Sequence, residues 1–177
     1  MTDTGGPLTG APNVGFKDKN VWVYFGSGKF WDMSDKTDLR TQWMYGIMEP
    51  KKTGSSAYNF SSIPAGNLLD VTDILVKNDG LGTLACSAGG TACLPAGVTT
   101  VEELAEHIRV TASPDGWKRA MPNVGERVVG QPTLFGGLTN FTTFTPSNDY
   151  CEAEGTSRLY ALYYLTGTAW KEDVFGD

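Results

Sequence analysis

Short runs of apolar residues near the beginning of the chain predict β-strands. The run VWVYF at 21–25 is rich in β-branched and aromatic side chains, a composition typical of strands. A second run, MYGIM at 44–48, follows the polar segment 31–42. The two runs are predicted to pair as an antiparallel hairpin with a long connection. Residues 1–20 are rich in Gly, Pro and Asn, which predicts loop or edge structure.

The pattern changes between residues 50 and 114, where Gly, Ser and Ala are frequent and strand signals fade. The segment 67–76 fits either a strand or a short helix. The segment 100–110 predicts a helix, because Thr100 and Glu103 match a capping box and apolar residues then recur at helical spacing. These apolar residues are Val101, Leu104, Ala105 and Ile108. We interpret 50–114 as an insertion into a β framework, with its helix near 100–110.

Strand patterns return from residue 126. The segment 126–146 contains three short runs separated by Gly, Pro and Asn. The segment SRLYALYYLTG at 157–167 has apolar side chains on both faces of a strand, which predicts a position between packed layers. Thr166 and Gly167 are predicted to form the turn that follows.

Composition and charge narrow the fold and exclude several partners. The chain has 177 residues, enough for one domain with a core, and its 22 Gly with 19% charged residues suggest short strands and tight turns. The net charge of −6 argues against a nucleic-acid or anionic-membrane partner, since both need clustered Lys and Arg. No run of 18 apolar residues occurs, so no membrane span is predicted. The first seven residues do not match a signal peptide, which fits a cytosolic protein or a piece of a longer exported chain equally well.

The segment Gly26-Ser27-Gly28-Lys29 looks like the end of a phosphate-binding loop but lacks two required residues. Such a loop needs an earlier Gly for its sharp turn and a hydroxyl after the Lys for magnesium. Here Val23 occupies the first of these positions and Phe30 the second. We therefore predict no nucleotide binding, and a strand end at which Gly26 and Gly28 let the chain turn.

The three cysteines leave the cellular compartment open. Cys86 and Cys93 flank a flexible six-residue segment that could bring them together, which allows a disulfide if the chain is exported. Three unpaired thiols are the alternative. Cys151 is left over, and in a secreted chain an odd cysteine suggests a partner elsewhere. The cysteine spacing matches neither a zinc nor a haem motif, and His107 is the single histidine of the sequence.

Two multi-part motifs resemble PilY-type proteins of type IV pili. The first, at 21–47, combines a strand with Phe-Gly-Ser-Gly-Lys, an acidic loop and Gln-x-x-Tyr-Gly-Ile. The second, at 116–162, contains Gly-Trp, Gly-Glu-Arg-Val-Val, Phe-Thr-Thr-Phe-x-Pro, Cys, Gly-Thr-Ser and Leu-Tyr-Ala-Leu in the family's order. The resemblance covers roughly 12–48 and 115–167, and the middle segment shows little beyond a counterpart around Leu68 and Leu69. The motif residues taken as structural candidates are Gly26, Gly28, Lys29, Tyr45, Gly46, Gly125, Glu126, Arg127, Gly155, Thr156 and Ser157.

The resemblance implies a mainly β fold, a partial or modified β-propeller of antiparallel blades with a short helical insertion. Residues 1–177 are expected to form a single domain, the C-terminal part of a PilY-like propeller. A blade takes about 40–45 residues, so the chain is too short for the family's larger ring. A divergent short relative that closes differently is the alternative to a C-terminal part of the propeller. An open set of blades would not close into a propeller alone.

The resemblance also implies a function. Family members are exported and act at the cell surface, the pilus tip, or the outer membrane and periplasm. The chain is expected to be a non-enzymatic structural or adhesive module that promotes pilus formation, opposes retraction and contributes to surface adhesion. The implied partners are minor pilins, or the remaining propeller and N-terminal domain of a longer chain, and a host or abiotic surface. In exported material Cys86 and Cys93 are then predicted to pair.

No cofactor is predicted for the chain itself. Full-length family members often bind calcium through an Asp-x-Asp-x-Asp-Gly loop, in which closely spaced carboxylates supply oxygen ligands. Here Asp32, Asp35 and Asp38 are three residues apart with Lys36 among them, and 78–80 is only Asn-Asp-Gly. We expect 32–38 to be a solvated acidic loop, with a calcium site there as the alternative.

A fragment of a quinoprotein-like propeller enzyme is the alternative function. Residues 161–170 echo the blade repeat Ala-x-Asp-x-x-Thr-Gly-x-x-x-Trp, but Tyr163 replaces the acid and Trp170 comes one residue early. A hydrolase has less support, because neither a Gly-x-Ser-x-Gly elbow nor an orderly acid pair is found. For Glu126-Arg127 we favour a structural role over a binding role. An exposed pair would add little stability, whereas a buried pair could fix the register of a blade at a desolvation cost.

Overall fold

A computed structural model of the chain describes residues 6–17, 20–49, 62–110, 114–147, 149 and 154–175. Within these ranges the chain forms eleven strands and one α-helix. In chain order these are β1 (Asn13–Lys17), β2 (Asn20–Gly26), β3 (Trp43–Glu49), β4 (Leu69–Asp70), β5 (Ile74–Val76), β6 (Leu84–Cys86), α1 (Val101–Val110), β7 (Gly116–Ala120), β8 (Arg127–Val128), β9 (Thr133–Phe135), β10 (Leu138–Pro146) and β11 (Gly155–Tyr163). Short 3-10 helices span Met33–Thr37 and Ala65–Asn67.

A five-stranded sheet is built around the predicted hairpin. Its order is β1-β2-β3-β7-β4, and β2 pairs with β3 antiparallel, with Val23 opposite Ile47. β1 forms one edge, as expected for the segment 1–20. β4 forms the other edge and runs parallel to β7, whereas the remaining pairs of this sheet are antiparallel.

The strands after residue 126 form a separate sheet. β10 and β11 make a long antiparallel hairpin in which Phe144 lies opposite Ser157. β8 and β9 both pair with β10, which confirms the three short runs predicted at 126–146. The segment 67–76, left open between strand and helix, contains parts of both: the end of a 3-10 helix, then β4 and β5. β5 pairs with β6 in a sheet of two strands.

One hydrophobic core joins both large sheets and the helix. The five-stranded sheet contributes Trp22, Tyr24, Met44 and Trp117, the helix its four predicted apolar residues, and the β10–β11 hairpin Phe141 and Leu162. The predicted capping box is present: the Glu103 N–H donates to Thr100 Oγ1 at 3.3 Å, and Glu103 Oε2 accepts from the Thr100 N–H at 3.1 Å. The opposite face of the five-stranded sheet carries a smaller cluster of Phe25, Tyr45, Ile63 and Leu68.

The position predicted for the strand at 157–167 is wrong for its first half. β11 is an edge strand, and residues 155–159 are exposed, with Leu159 57% accessible. Only the second half reaches the core, where Leu162 is buried. The apolar residues that occupy both faces lie mainly at 159–164. The strand begins earlier, at Gly155, and its first residues lie beyond the edge of the core. The predicted turn is present, since Gly167 has a φ of 68°.

The mainly β class with antiparallel sheets and one helix is confirmed. The described ranges form no closed barrel or propeller. Nor does any helix in them have the length and apolar character needed to cross a membrane. Residues 50–114 lie between β3 and β7, which are neighbours in the sheet, and α1 packs into the common core. The single-domain assignment and the boundaries of the insertion stay predictions, and 50–61 lies outside the described residues.

Cys86 and Cys93 form a disulfide with a Cα–Cα distance of 5.7 Å. It joins the end of β6 to the loop that leads towards α1. The Cys93 N–H also donates to Cys86 Sγ. Cys151, whose partner was left open, lies outside the described residues.

Candidate functional site

The segment Gly26–Lys29 packs closely against β8. A Cβ on Gly26 would lie 2.3 Å from Val128 Cβ, and one on Gly28 would lie 2.4 Å from Arg127 Cβ. Gly28 also has a φ of 130°, which other residues rarely adopt. Both glycines are therefore required by the close approach of two strands from different sheets.

The two central N–H groups of this segment are used within the chain. The Ser27 N–H donates to the Trp43 carbonyl at 2.8 Å, and the Gly28 N–H donates to the Pro7 carbonyl at 2.7 Å. A phosphate-binding loop instead directs successive N–H groups at its ligand. This arrangement supports the prediction that Gly26–Lys29 does not bind nucleotides.

Arg127 is the centre of the contact between the two sheets. Its side chain is 1% accessible, and its guanidinium donates to four backbone carbonyls. The accepting carbonyls belong to Gly125 at 2.8 Å, Lys29 at 2.9 Å, Asp35 at 2.8 Å and Asp38 at 3.0 Å. Three of them lie in the loop between β2 and β3, so one side chain on β8 fixes that loop. Burial lowers the pKa of Arg127, and the nearby Asp38 and Asp35 partly oppose that change.

Glu126 does not pair with its neighbour Arg127 and has its own set of donors. Its Oε1 accepts from Thr143 Oγ1 at 2.6 Å and from the Tyr160 hydroxyl at 2.8 Å. Its Oε2 accepts from the N–H and the side-chain amide of Asn123 and lies 3.8 Å from Arg158 Nη1. Burial raises the pKa of Glu126, but the hydrogen bonds outweigh it, so the pKa lies below its ordinary value. Burial and the bond to Glu126 raise the pKa of Tyr160 to about 12.

The acidic loop at 32–38 is not uniformly solvated, which corrects the expectation from the sequence. Asp35 is 4% accessible, its Oδ1 lies 2.8 Å from Lys29 Nζ, and its Oδ2 accepts from the Trp31 N–H at 2.8 Å. Asp32 and Asp35 form a capping box for the 3-10 helix Met33–Thr37. The pattern Asp-x-x-Asp could have predicted this cap, because a side-chain acceptor at the N-cap and an acid three residues later define it.

The three carboxylates of this loop, which the sequence offered as a calcium site, are engaged by other groups of the chain. Asp32 accepts from Ser34, Asp35 pairs with Lys29, and Asp38 pairs with Arg40. Each carboxylate is thus directed to a different partner. Among the described residues no group of three or more His, Cys, Asp or Glu side chains could hold a metal ion.

A shallow groove of about 380 Å³ lies beside Phe30, whose ring centroid is 5.9 Å from the Arg127 guanidinium. It is lined by Phe30, Val129, Thr142, Thr143, Phe144 and Ser157. Phe30 and Phe144 are in contact there, with ring centroids 4.9 Å apart. The lining of the groove is mostly apolar and holds no charged side chain, so it suits a side chain of another polypeptide segment better than a charged ligand.

The structure divides the eleven motif residues among three places. Six of them meet around Arg127: Gly26, Gly28, Lys29, Gly125, Glu126 and Arg127 itself. Gly155, Thr156 and Ser157 lie on the exposed start of β11, beside the groove. The third place is β3, which carries Tyr45 and Gly46. The Tyr45 ring stacks on Phe25 with ring centroids 5.1 Å apart, and Gly46 faces Trp117.

Trp117 belongs to the Gly-Trp element of the second motif but was not among the structural candidates, although it contacts both large sheets. Its Nε1 donates to the Tyr164 carbonyl at 2.9 Å. A Cβ on Gly46 would lie 2.3 Å from its ring, and one on Gly167 would lie 2.2 Å from it. The segment that echoes a cofactor-propeller repeat is also structural here, because Trp170 packs on Tyr163 with ring centroids 4.4 Å apart.

The chain is similar in fold to a solved structure. No protein-family model matches the chain, and no curated protein sequence matches it. Its fold is similar to the crystal structure of the PilY1 C-terminal domain from Pseudomonas aeruginosa, with a TM-score of 0.58 and 18% identity. The similarity covers 92% of this chain and 32% of that one. The chain therefore spans about a third of the length of the structure it matches, and at this identity the similarity shows the fold.

Proposed function

We propose that this chain is a non-enzymatic structural or adhesive module of a type IV pilus tip-associated or pilus-assembly protein. The observation that supports the proposal best is the fold similarity over 92% of the chain to the PilY1 C-terminal domain. The two sequence motifs that resemble PilY-type proteins include β2, β3, β7, β8, β10 and β11, which are three of the five strands of one large sheet and three of the four strands of the other. The sequence resemblance and the fold similarity thus concern the same elements.

Within this proposal the sheets are blades of a partial or modified β-propeller. The chain matches about a third of the longer domain, so the remaining blades and an N-terminal domain would come from the rest of a longer polypeptide. Minor pilins are the other proposed partners, with a host or abiotic surface as the adhesive target. The Cys86–Cys93 disulfide supports an exported location at the cell surface, pilus tip, or outer membrane and periplasm, because disulfides persist in oxidising compartments.

The contacts of the buried charges support a structural role over catalysis. Glu126, Arg127 and Asp35 each engage several donors or acceptors of the chain itself. A general acid or base needs an atom within reach of a substrate. The single histidine, His107, lies half-buried on α1.

The proposal is tested by deleting the encoding gene in its own organism and counting surface pili by electron microscopy. We expect few or no pili, with restoration when the retraction motor is also disabled, because the module would oppose retraction. Complementation with the wild-type gene should restore pili and surface attachment, and Arg127→Met should not, whereas Arg40→Met should. Normal piliation and attachment in the deletion strain would contradict the proposal.

A further inference from the structure

The first half of β11 is an exposed sheet edge. Among the described residues β11 pairs only with β10, and residues 155–159 are all exposed. Exposed edges are usually protected by Pro, Lys, bulges or a covering segment. The sequence Gly-Thr-Ser-Arg-Leu has neither Pro nor Lys, and its register with β10 is continuous. Its one charge, Arg158, is directed towards Glu126 at 3.8 Å.

The backbone of this edge is available for pairing at alternate residues. At one end of the hairpin the Ser147 N–H donates to the Glu154 carbonyl, and at the other the Tyr164 N–H donates to the Gly137 carbonyl. Hydrogen-bonded pairs alternate with non-bonded pairs in an antiparallel hairpin. Both ends therefore assign Gly155, Ser157 and Leu159 to the non-bonded pairs, with N–H and C=O directed away from β10. Pro146, which has no N–H, lies opposite Gly155 and agrees with this assignment.

We infer that this edge pairs with the same edge of a second copy of the chain, antiparallel, around a two-fold axis at Ser157. Ser157 then lies opposite Ser157 of the second copy, and Gly155 lies opposite Leu159 of the second copy. All of these residues direct their N–H and C=O outward, so each opposed pair can exchange both backbone hydrogen bonds. Such an edge is self-complementary, as a two-fold interface requires.

The side chains favour this register. The Phe144 ring lies over Gly155, where a Cβ would be 2.4 Å from the ring. Leu159, which is 57% accessible, would therefore meet a glycine across the interface and pack against the ring of Phe144. Phe144 also lines the apolar groove described above. Moving the axis to Arg158 would place two arginines opposite each other, and like charges in that position are destabilising.

The size of the contact sets the expected strength. Five residues from each copy bury less than the roughly 1,200 Å² of stable complexes, so the dimer should be weak and concentration-dependent.

Analytical ultracentrifugation of the 177-residue chain over a concentration series should show a monomer–dimer equilibrium. Ser157→Pro removes an N–H that β10 does not use, so it should keep the fold by circular dichroism and weaken dimerisation roughly tenfold or more. Ser157→Ala is the matched control and should dimerise like the wild type.

Cysteine cross-linking tests the register. In a Cys151→Ser background, Ser157→Cys should form a disulfide-linked dimer on mild oxidation, because opposed hydrogen-bonded residues have Cα atoms about 5.5 Å apart. Thr156→Cys should cross-link much more slowly, since it would lie opposite Arg158. The inference is overturned by a wild-type monomer at millimolar concentration, by undiminished dimerisation of Ser157→Pro, or by equally fast cross-linking of both cysteine variants. A monomer would mean that this edge is left for another segment or another protein.

Discussion

At the scale of single residues, Arg127 stabilises a loop through its backbone and not through an ion pair. Its guanidinium donates to the carbonyls of Lys29, Asp35 and Asp38, which are about 90 residues away in sequence. The planar guanidinium has five N–H donors and can bind several carbonyls at once. A lysine would offer a single point charge with three N–H donors.

Replacing Arg127 by Met should therefore be costly. The change keeps much of the side-chain volume but leaves several loop carbonyls without a donor, and we expect a loss of roughly 2–4 kcal/mol in the free energy of unfolding. Urea denaturation measures this loss. Arg40→Met is the matched control, because Arg40 pairs with Asp38 at the exposed surface and the same change should cost at most about 1 kcal/mol. Equal losses for both variants would contradict the role given to Arg127.

The carboxyl of Asp35 should make stability depend on acid pH. The hydrogen bond from Lys29 and then that from the Trp31 N–H lower the pKa of Asp35 from 3.8 to about 2. A carboxyl with a lowered folded-state pKa stabilises the fold above its unfolded pKa and loses that contribution as the pH falls. The free energy of unfolding should thus decrease between about pH 4 and pH 2.

Asp35→Asn should flatten this dependence, because the amide does not titrate. Part of the slope should remain, since the pKa of Glu126 is also lowered. Urea denaturation at several pH values measures both slopes. An unchanged slope in Asp35→Asn would show that the Lys29–Asp35 pair does not contribute.

The residue contacts were the least predictable part of the candidate site. The motif resemblance pointed to Glu126 and Arg127, but their partners come from distant segments, and adjacency in sequence suggested a mutual ion pair. Asp35 was expected in water because short polar loops usually lie there. Its burial depends on Lys29 and on β8 lying above the loop, which no local pattern records.

At the scale of elements, the sequence predicted those whose pattern is local. β2, β3 and α1 were predicted because their apolar residues repeat within one strand or helix. The exposed half of β11 was assigned to the interior, since apolar residues on both faces do not reveal where the core ends. The pairing of β4 with β7 depends on a contact across the middle segment, so neither strand alone predicts it.

Trp117 makes the contact between elements that should be most sensitive to added volume. Its indole ring lies against Gly46 on one strand and Gly167 after another. Gly46→Ala should force the ring or the strand to move and cost roughly 1–3 kcal/mol or more, measured by urea denaturation. Gly66→Ala is the control, because a Cβ there would meet no atom within 4 Å. If both variants were equally stable, the close packing around Trp117 would not limit the fold.

At the scale of the whole molecule, a mainly β fold with one helix was predictable, and so was its likeness to PilY-type proteins. The motifs predicted this likeness because they contain the glycines and charged residues that lie where the two sheets are in contact. How the two large sheets pack on each other was not predictable, since it depends on contacts between distant segments, such as those of Arg127 with the loop between β2 and β3. The fold similarity to the PilY1 C-terminal domain covers 92% of this chain and agrees with the mainly β prediction.

We propose that this chain acts on type IV pili outside the cell. Immunogold electron microscopy with antibodies raised against residues 1–177 tests it most directly, using the gene-deletion strain as the control for specificity. The account predicts labelling at pilus tips or pilus bases on intact cells, and loss of that labelling in a strain that makes no pili. Label confined to the cytoplasm, or label unchanged when pili are absent, would contradict it.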